Sequence, residues 1–232
     1  MGRAGIRRLG WLGKLLLTLF VILVVAPVLL LLIFRFVPVP GTPQMLWSMA
    51  KGNGAHYRWS DHVPPFLGKA VIGSEDQNFC NHSGFDWKSI DQAMAAHERH
   101  PAKRLRGAST ISQQTARTLF LVPVRSWVRK GAEAYLTVLL EALWPKKRIL
   151  EAYLNLVDWG HGNFGTDAAA RAYFGVDAAQ LNRNQAARLA AILPDPDKWS
   201  AAKPGPYVAS RSQILIDRAG DVTRDNLDFC VK

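Results

Sequence analysis

One uncharged apolar run near the N-terminus constrains this chain more than any other feature of its sequence. Residues 15–34 contain no charged side chain, and Thr18 is the only polar side chain among them. At about 1.5 Å of rise per residue, a helix of this length spans the roughly 30 Å hydrocarbon core of a bilayer. We therefore predict one transmembrane helix over residues 15–36. Pro27 can bend such a helix without ending it, because neighbouring groups satisfy the carbonyl that it frees.

The charges around this run set the expected topology. The first 60 residues contain no Asp or Glu, and their seven Lys and Arg side chains account for most of the formal net charge of +11. Because these basic residues adjoin an apolar run, a membrane explains them better than nucleic acid, and no nucleic-acid partner is expected. Four basic residues precede the run, namely Arg3, Arg7, Arg8 and Lys14. The positive-inside tendency places them in the cytoplasm and the rest of the chain on the outer side.

A cleaved signal peptide is the alternative interpretation of the apolar run. Signal peptides usually have an apolar region of about 7–15 residues that ends in a small-residue cleavage site. This run is longer, and it is followed by Arg35, Phe36, Val37 and Pro38. An uncleaved anchor is therefore favoured.

The remaining sequence indicates one mostly α domain. Residues 37–64 are rich in Pro, Gly and aromatic side chains, which is typical of a linker and membrane-proximal segment. Beyond residue 65 the apolar spacing is helical almost throughout, and no alternation is long enough to demand a sheet. The predicted organisation is a cytoplasmic N-terminus (1–14), a transmembrane helix (15–36), the linker (37–64) and one helical domain (65–232).

Capping residues and prolines predict where several helices begin and end. Asp86 can cap one helix, and Thr110 with Gln113 fits a capping box that opens another, which must end before Pro123. Further helices are predicted over 127–144, 146–157 and 183–193.

Two cysteines and six histidines limit the metal and redox chemistry that the chain can support. Two Cys exclude a four-cysteine zinc site, and the His residues show no close-spaced ligand pair, so no metal site is predicted. Outside the membrane Cys80 and Cys230 could form a disulfide. Nothing in the sequence places them near each other. Two free thiols, or one buried and one on a loose tail, are therefore the favoured interpretation.

Glu75 is the first candidate catalytic residue. It follows the apolar turn Ala70, Val71 and Ile72 and precedes an irregular stretch that ends at Asp86. Desolvation at the edge of an apolar helix raises the pKa of a carboxyl group, which suits a proton acceptor near neutral pH. The alternative is that Glu75 or its neighbour only caps backbone amides.

A second candidate group lies around residues 107–121. Gln113 and Gln114 are four and three residues before Arg117, so all three share one face of a helix, beside Ser109 and Thr110. These donors suit a sugar or a phosphate. An ordinary solvated helix face is the alternative.

The third group centres on a second carboxylate, Glu133. Arg129 and Lys130 are four and three residues before it, so the simplest account is helix ion pairs worth about 0.3–0.5 kcal/mol each. Residues 99–130, however, hold eight basic residues, among them Arg125, and no acidic one. Such a patch between Glu75 and Glu133 attracts an anion and keeps carboxylates at its rim.

Taken in order, these stretches resemble the peptidoglycan glycosyltransferases of family 51. The resemblance rests on GSEDQNFCNHSGFDW, RGASTISQQTARTLFL, RSWVRKGAEAYLTVLLE, KKRILEAYLNLVDWGHGNFGTDAAARAYFG and LAAILPDPDKWSAAKPGPY. It covers most of residues 64–207. The anchor, the short length and the missing transpeptidase motifs resemble the monofunctional biosynthetic branch.

The resemblance implies a lysozyme-like helical domain with a small membrane-proximal lobe, held at the outer face of a bacterial inner membrane. It also implies the reaction: the 4-hydroxyl of lipid II attacks the anomeric carbon of a lipid-pyrophosphate-linked glycan chain, with inversion and release of undecaprenyl pyrophosphate. Glu75 matches the general base of the family, and Glu133 matches a second carboxylate. The residues matched to substrate binding are Ser109, Gln113, Gln114, Arg117, Arg125, Arg129, Lys130 and Arg148.

Several alternatives stay open at this level. No cofactor is required by the sequence, although a divalent cation could bridge the pyrophosphate. Cell-wall synthesis or division proteins are possible protein partners. A lytic muramidase and an inactive glycan-binding scaffold are the competing functions. A hydrolase needs no phosphate patch, and the presence of both Glu75 and Glu133 argues against an inactive scaffold.

Overall fold

The computed structural model describes residues 10–100, 108–124 and 126–232. The chain divides into two compact units between Val37 and Pro38. The first unit contains the apolar helix Trp11–Phe34, which consists of α1 (Trp11–Phe20), a π-helical stretch (Val21–Val25) and α2 (Ala26–Phe34). At 24 residues this helix is long and apolar enough to cross a membrane.

The π-helical stretch lies just before Pro27, which is in the first turn of α2. Proline has no backbone N–H, and its ring crowds the carbonyl four residues earlier, so a wider preceding turn accommodates it. The helix nevertheless continues to Phe34. Pro27 therefore perturbs this helix without ending it, as the sequence predicts.

The second unit is built mainly of helices, which confirms the mostly α prediction. They are α3 (Pro43–Ala50), α4 (Pro65–Glu75), α5 (Trp87–Arg99), α6 (Ile111–Phe120), α7 (Trp127–Leu143), α8 (Lys146–Leu156), α9 (Thr166–Phe174), α10 (Arg183–Ile192) and α11 (Pro206–Arg224). Each of α7, α8 and α10 begins at the predicted residue and ends one residue earlier than predicted. Helix α3 lies within the stretch that the sequence predicts as a linker. The Thr42 side chain caps it by accepting from the Met45 N–H.

The predicted capping residues occupy their predicted positions. The Asp86 carboxylate accepts from the Ser89 N–H at 3.0 Å at the start of α5. At the start of α6 the Thr110 hydroxyl accepts from the Gln113 N–H at 3.1 Å, and the Gln113 side-chain oxygen accepts from the Thr110 N–H at 3.0 Å. This reciprocal pair satisfies two amides that a helix start would otherwise leave without partners.

The core of this unit places two helix ends together. Helix α4 packs on α10 and α11 through buried side chains such as Leu67 and Val71, while α6 packs on α7 and α8. Asp76, the residue after α4, accepts from the Ile111 N–H at 2.9 Å. The C-terminal end of α4 therefore meets the N-terminal end of α6.

A short parallel pair of strands, β1 (His56–Tyr57) and β2 (Asn163–Phe164), is the sheet within the described residues. Nearby, the fully buried Asn155 of α8 accepts from the Ser60 N–H at 2.8 Å and donates to the Ser60 carbonyl at 3.1 Å. These bonds hold the chain after β1 against α8.

The two cysteines form a disulfide, so the interpretation of two free thiols is wrong. Cys80 lies in a single 3-10 turn after α4, and Cys230 lies in another 3-10 turn beyond α11. Packing of these turns brings the two Cα atoms to 5.5 Å, within the usual range for a disulfide. The cysteines are 150 residues apart, and local sequence patterns carry no information about such a contact.

Candidate active site

Glu75 ends α4 as a half-buried carboxylate. The turn before it is fully buried through Ala70, Val71 and Ile72, so the carboxylate emerges from an apolar wall. Burial raises the pKa of Glu75 above its usual value of 4.5, whereas the hydrogen bond from Gln114 and the charge of Arg211 lower that pKa. The direction agrees with the expectation for a proton acceptor at the edge of an apolar helix.

Gln114 connects Glu75 to a buried tyrosine. Its Nε2 donates to Glu75 Oε2 at 3.1 Å and reaches the Ser109 carbonyl at 3.4 Å. The Tyr153 hydroxyl donates to Gln114 Oε1 at 3.3 Å. Burial raises the pKa of Tyr153 well above its usual value, so its hydroxyl stays protonated and keeps donating. The amide of Gln114 is therefore held with its N–H groups toward the carboxylate.

Asp76 and His82 hold the chain that follows Glu75. Asp76 is buried, with one carboxylate oxygen bonded to the Ile111 N–H and the other 2.9 Å from His82 Nε2. His82 Nδ1 accepts from the Gly84 N–H at 3.1 Å, so Nε2 carries a proton and donates to Asp76. These bonds fix the end of α4 relative to α6, and thus Glu75 relative to Gln114.

Two arginines place positive charge near Glu75. Arg117 lies one turn beyond Gln114 on α6, and its charge lowers the pKa of both Glu75 and Tyr153. Arg211 comes from α11, which packs on α4. Its Nε is buried and has no hydrogen-bond partner among the residues that the structure describes. Arg211 is not predictable from the sequence, because a single arginine on an amphipathic helix carries no local signal of a site.

Glu133 forms a second charged cluster on α7. Its side chain is only 1% exposed, its Oε2 lies 2.6 Å from Arg129 Nη1, and its Oε1 is paired with Lys130 Nζ. The Ser126 side chain caps this helix by accepting from the Arg129 N–H at 3.0 Å. Both predicted i,i+3 and i,i+4 pairs are thus present, but around a buried carboxylate rather than on a solvated surface.

Gly84 connects the segment after Glu75 to the helix that carries Glu133. Its carbonyl accepts from the Thr110 hydroxyl at 2.7 Å, and its φ is +91°. A Cβ atom at this position would lie 2.7 Å from Cγ2 of Thr137, which is one turn after Glu133. Glycine therefore allows this loop to pack closely between α6 and α7.

The remaining predicted site residues lie in different surroundings. The Gln113 side chain takes part in the capping box of α6 and is 5% exposed. The Arg148 guanidinium pairs with Glu151 at 2.9 Å and lies over the rings of Trp59 and Trp144. Arg125 lies outside the described residues.

The arrangement suits proton transfer beside an anion. A half-buried carboxylate with a raised pKa lies near two arginines, and a second carboxylate organises two further cations. Within the described residues, no group of three His, Cys, Asp or Glu side chains could hold a metal ion. The expectation that no cofactor is required stays a prediction.

Comparison with known proteins identifies close relatives of this chain. The family model described as Transglycosylase matches residues 44–220. A "Biosynthetic peptidoglycan transglycosylase" of Caulobacter vibrioides is 48% identical over 233 residues, which cover 100% of both chains. A protein of the same name from Pseudomonas aeruginosa is 50% identical over 195 residues, covering 81% of this chain and 83% of its own. Another, from Rhodospirillum centenum, is 48% identical over 201 residues, covering 85% and 86%.

Proposed function

The chain belongs to the transglycosylase family, whose domain is helical and lysozyme-like, and from this premise we propose how its side chains perform the reaction. It is a peptidoglycan glycosyltransferase that polymerises glycan strands for the cell wall. The family implies two substrates, namely lipid II and a lipid-linked glycan chain. The roles of individual residues follow from the contacts around Glu75 and Glu133.

Glu75 is the general base in this proposal. The O4 atom of lipid II attacks the anomeric carbon of the growing chain and loses its proton to Glu75, while the bond from that carbon to the pyrophosphate oxygen breaks. Glu75 Oε2 already accepts a hydrogen bond from Gln114 Nε2, so we assign the incoming proton to Oε1. The raised pKa of Glu75 strengthens it as a proton acceptor, and the attack from the face opposite the leaving group inverts the configuration.

The cations near Glu75 stabilise the leaving group. Undecaprenyl pyrophosphate departs with its negative charge, so it needs positive charge more than a proton donor. One cation about 4 Å from a phosphate oxygen contributes about 4 kcal/mol at an effective dielectric constant of 20. We assign Arg117 and Arg211 to this role because their charges act on Glu75, and Arg125 by resemblance alone.

Glu133 acts by positioning. It pairs with Arg129 and Lys130, so removing it would free both cations from a defined geometry. We assign Arg129 and Lys130 to the pyrophosphate, with Glu133 holding them there. Ser109 contributes its carbonyl beside Gln114. A divalent cation that bridges the pyrophosphate would supplement these side chains.

The apolar helix Trp11–Phe34 supports a membrane setting for this reaction. We propose a single-pass anchor in the bacterial inner membrane, with the N-terminus in the cytoplasm and the catalytic domain in the periplasm. Lipid-linked substrates then reach the site by diffusion in the outer leaflet. Cell-wall synthesis or division proteins are the partners that this location would favour.

The contact of Glu75 with Gln114, beside the charge of Arg117, is the observation that carries the proposal. The test uses full-length protein with lipid II in detergent and resolves the products on a gel. Wild-type protein is expected to form long glycan strands and release undecaprenyl pyrophosphate, and Glu75→Gln to bind lipid II without polymerising it. Polymerisation by Glu75→Gln at the wild-type rate would refute the base assignment. Shortening of added glycan without pyrophosphate release would instead indicate a muramidase.

A further inference from the structure

The disulfide lies close to the catalytic carboxylate along the chain. Cys80 follows Glu75 by five residues, in the segment 76–86 that fixes the end of α4. Its partner, Cys230, belongs to the segment 225–232 beyond α11. A covalent bond therefore joins the chain just after the proposed base to a segment that does not itself touch Glu75 in any described contact.

The segment 76–86 transmits its position to the active site through hydrogen bonds. Asp76 accepts hydrogen bonds from the first amide of α6 and from His82. The Gly84 carbonyl accepts from the Thr110 hydroxyl, and Asn78 Nδ2 donates to the Asp86 carboxylate at 2.8 Å. Helix α6 carries Gln114, which contacts Glu75 at 3.1 Å. A shift of this segment would therefore change the distance between Glu75 and Gln114.

Other contacts also hold the segment 225–232. Its 3-10 turn packs on α8, and the Leu227 N–H donates to the Val222 carbonyl at 2.9 Å. The Phe229 side chain is 51% exposed, and Cys230 and Val231 are only half-buried. Polar attachment comes from Asp228, which lies 3.7 Å from Lys69 of α4 and 3.2 Å from Lys232. Because the apolar side chains of this segment are at most half-buried, the disulfide adds a covalent restraint to these contacts.

The segment 225–232 also lines a cavity beside α4. Val231 and Lys232 form part of the wall of a cavity of about 560 Å³, and Ile72 and Leu150 form another part. Ile72 belongs to the same turn of α4 that precedes Glu75. Movement of the segment would therefore change the wall of this cavity next to the turn that desolvates the catalytic carboxylate.

We propose that the Cys80–Cys230 disulfide is a redox-sensitive clamp that keeps the glycosyltransferase site in its active geometry. The enzyme is active when the disulfide is intact and slower when it is reduced. The inference rests on the proposed role of Glu75. Both cysteines are half-buried rather than enclosed, so a dithiol reductant can reach the bond.

The chemical step is thiol–disulfide exchange with a dithiol. One thiolate of the reductant attacks a sulfur of the Cys80–Cys230 bond, forms a mixed disulfide with that cysteine and releases the other cysteine as a thiol. The second thiol of the reductant then attacks the mixed disulfide and releases the remaining cysteine. Cys80 and Cys230 gain two electrons and two protons, and the reductant leaves as its disulfide. An oxidising disulfide of the same chemical class reverses the step.

The test follows polymerisation of lipid II by full-length protein before and after treatment with dithiothreitol, with thiols counted by alkylation and mass spectrometry. We expect reduction to lower kcat roughly 10-fold to 100-fold, as expected when catalytic groups are displaced by about 1 Å, and reoxidation to restore it. Cys230→Ser should be equally slow without reductant and should not respond to it. The double variant Cys80→Ser/Cys230→Ser should match Cys230→Ser, which excludes an effect of the lone thiol. Wild-type protein with two alkylated cysteines and an undiminished rate would overturn the proposal.

Hydrogen exchange separates a local clamp from general stabilisation. We expect reduction to increase exchange at the amides of Phe79, Asn81 and Ile111 and to leave α10 protected. A loss of protection in α10 as large as that at Phe79, Asn81 and Ile111 would overturn the local mechanism. The same measurement on the cysteine variants identifies any variant that fails to fold. Glu75→Gln provides the separate control on the proposed function. If oxidised Glu75→Gln polymerises normally, the base assignment fails whatever the response of the wild-type protein to reductant.

Discussion

Replacement of Glu133 by glutamine tests whether a buried carboxylate organises the cations of the site. The Glu133 side chain is 1% exposed, whereas those of its partners Arg129 and Lys130 are 18% and 42% exposed. Glutamine keeps the shape of the side chain and removes its charge. The variant therefore leaves two cations facing a neutral amide, and the NH₂ group of that amide repels them.

The expected loss of stability follows from burial. Removal of one partner from a buried ion pair typically costs about 3–5 kcal/mol. The lower end, about 3 kcal/mol, applies here because Lys130 can turn toward water and the amide oxygen of glutamine can still accept from Arg129. For a domain of this size, that loss lowers Tm by about 6–12 °C.

The assay is thermal unfolding of the full-length protein in detergent, followed by circular dichroism at the helical band. Asp221→Asn is the matched control, because it removes a charge from an i,i+3 pair with Arg224 whose side chains are 42% and 68% exposed. An exposed pair contributes within about 0.5 kcal/mol, so the control should stay within about 2 °C of the wild type. Equal melting temperatures for the two variants would refute the energetic argument.

The same variant separates a positioning role from a purely structural one. At a temperature where both proteins are folded, Glu133→Gln should lose roughly 10-fold to 100-fold in kcat/KM, because Arg129 and Lys130 no longer keep a defined geometry. Asp221→Asn should retain the wild-type value. A lower Tm for Glu133→Gln with an unchanged kcat/KM would show that Glu133 stabilises the fold without positioning the cations for catalysis.

Two further predictions concern the pKa of Glu75 and the close packing of Gly84. Glu75 must be deprotonated to accept a proton, and its pKa is raised, so the acid limb of the kcat/KM profile should lie above pH 4.5. Gln114→Leu removes a hydrogen bond that lowers this pKa and should move the limb to higher pH; an unmoved limb would count against the contact. Because the folded protein binds this proton more tightly than the unfolded chain, the contribution of Glu75 to stability should increase as the pH falls through the raised pKa and be complete below about pH 4.5. Gly84→Ala, whose Cβ would meet Thr137 Cγ2 at 2.7 Å with φ at +91°, should lose about 2–4 kcal/mol of unfolding free energy in denaturant titrations. Gly131→Ala on α7 has open space around its Cβ and should gain up to about 1 kcal/mol; similar effects of the two substitutions would contradict the packing argument.

Local patterns in the sequence were sufficient for much of the helical framework. The capping box of Thr110 and Gln113, the cap at Asp86 and the start of α8 after Pro145 all depend on neighbours within a few residues. The apolar helix was equally evident, because its length and composition are properties of one continuous stretch. Helix α3 was missed even though Thr42 and Pro43 supply a cap and a first-turn proline, because the surrounding Pro, Gly and aromatic residues indicated a linker.

The candidate site was predictable where its members share a helix or a short stretch of chain. Gln114 and Arg117 occupy one face of α6, and Arg129, Lys130 and Glu133 occupy one face of α7, as i,i+3 and i,i+4 spacing requires. The spacing did not show that Glu133 is buried. Nor did it show which polar side chains of α6 serve the helix cap and which contact the carboxylate, since that depends on what packs against each face.

Local sequence patterns indicate several of the helices, the long apolar helix and the kinds of side chain available for chemistry. Which of these side chains meet depends on how the helices pack in the folded protein. Glu75 lies 39 residues before its partner Gln114, and no local pattern links the two. Gln114 in turn accepts a hydrogen bond from Tyr153, which lies another 39 residues along the chain. Arg211 and the Cys80–Cys230 bond join still more distant parts of the chain. Helix periodicity and capping act over a few residues, whereas these contacts depend on how whole helices pack, and packing is a property of the folded chain rather than of any segment.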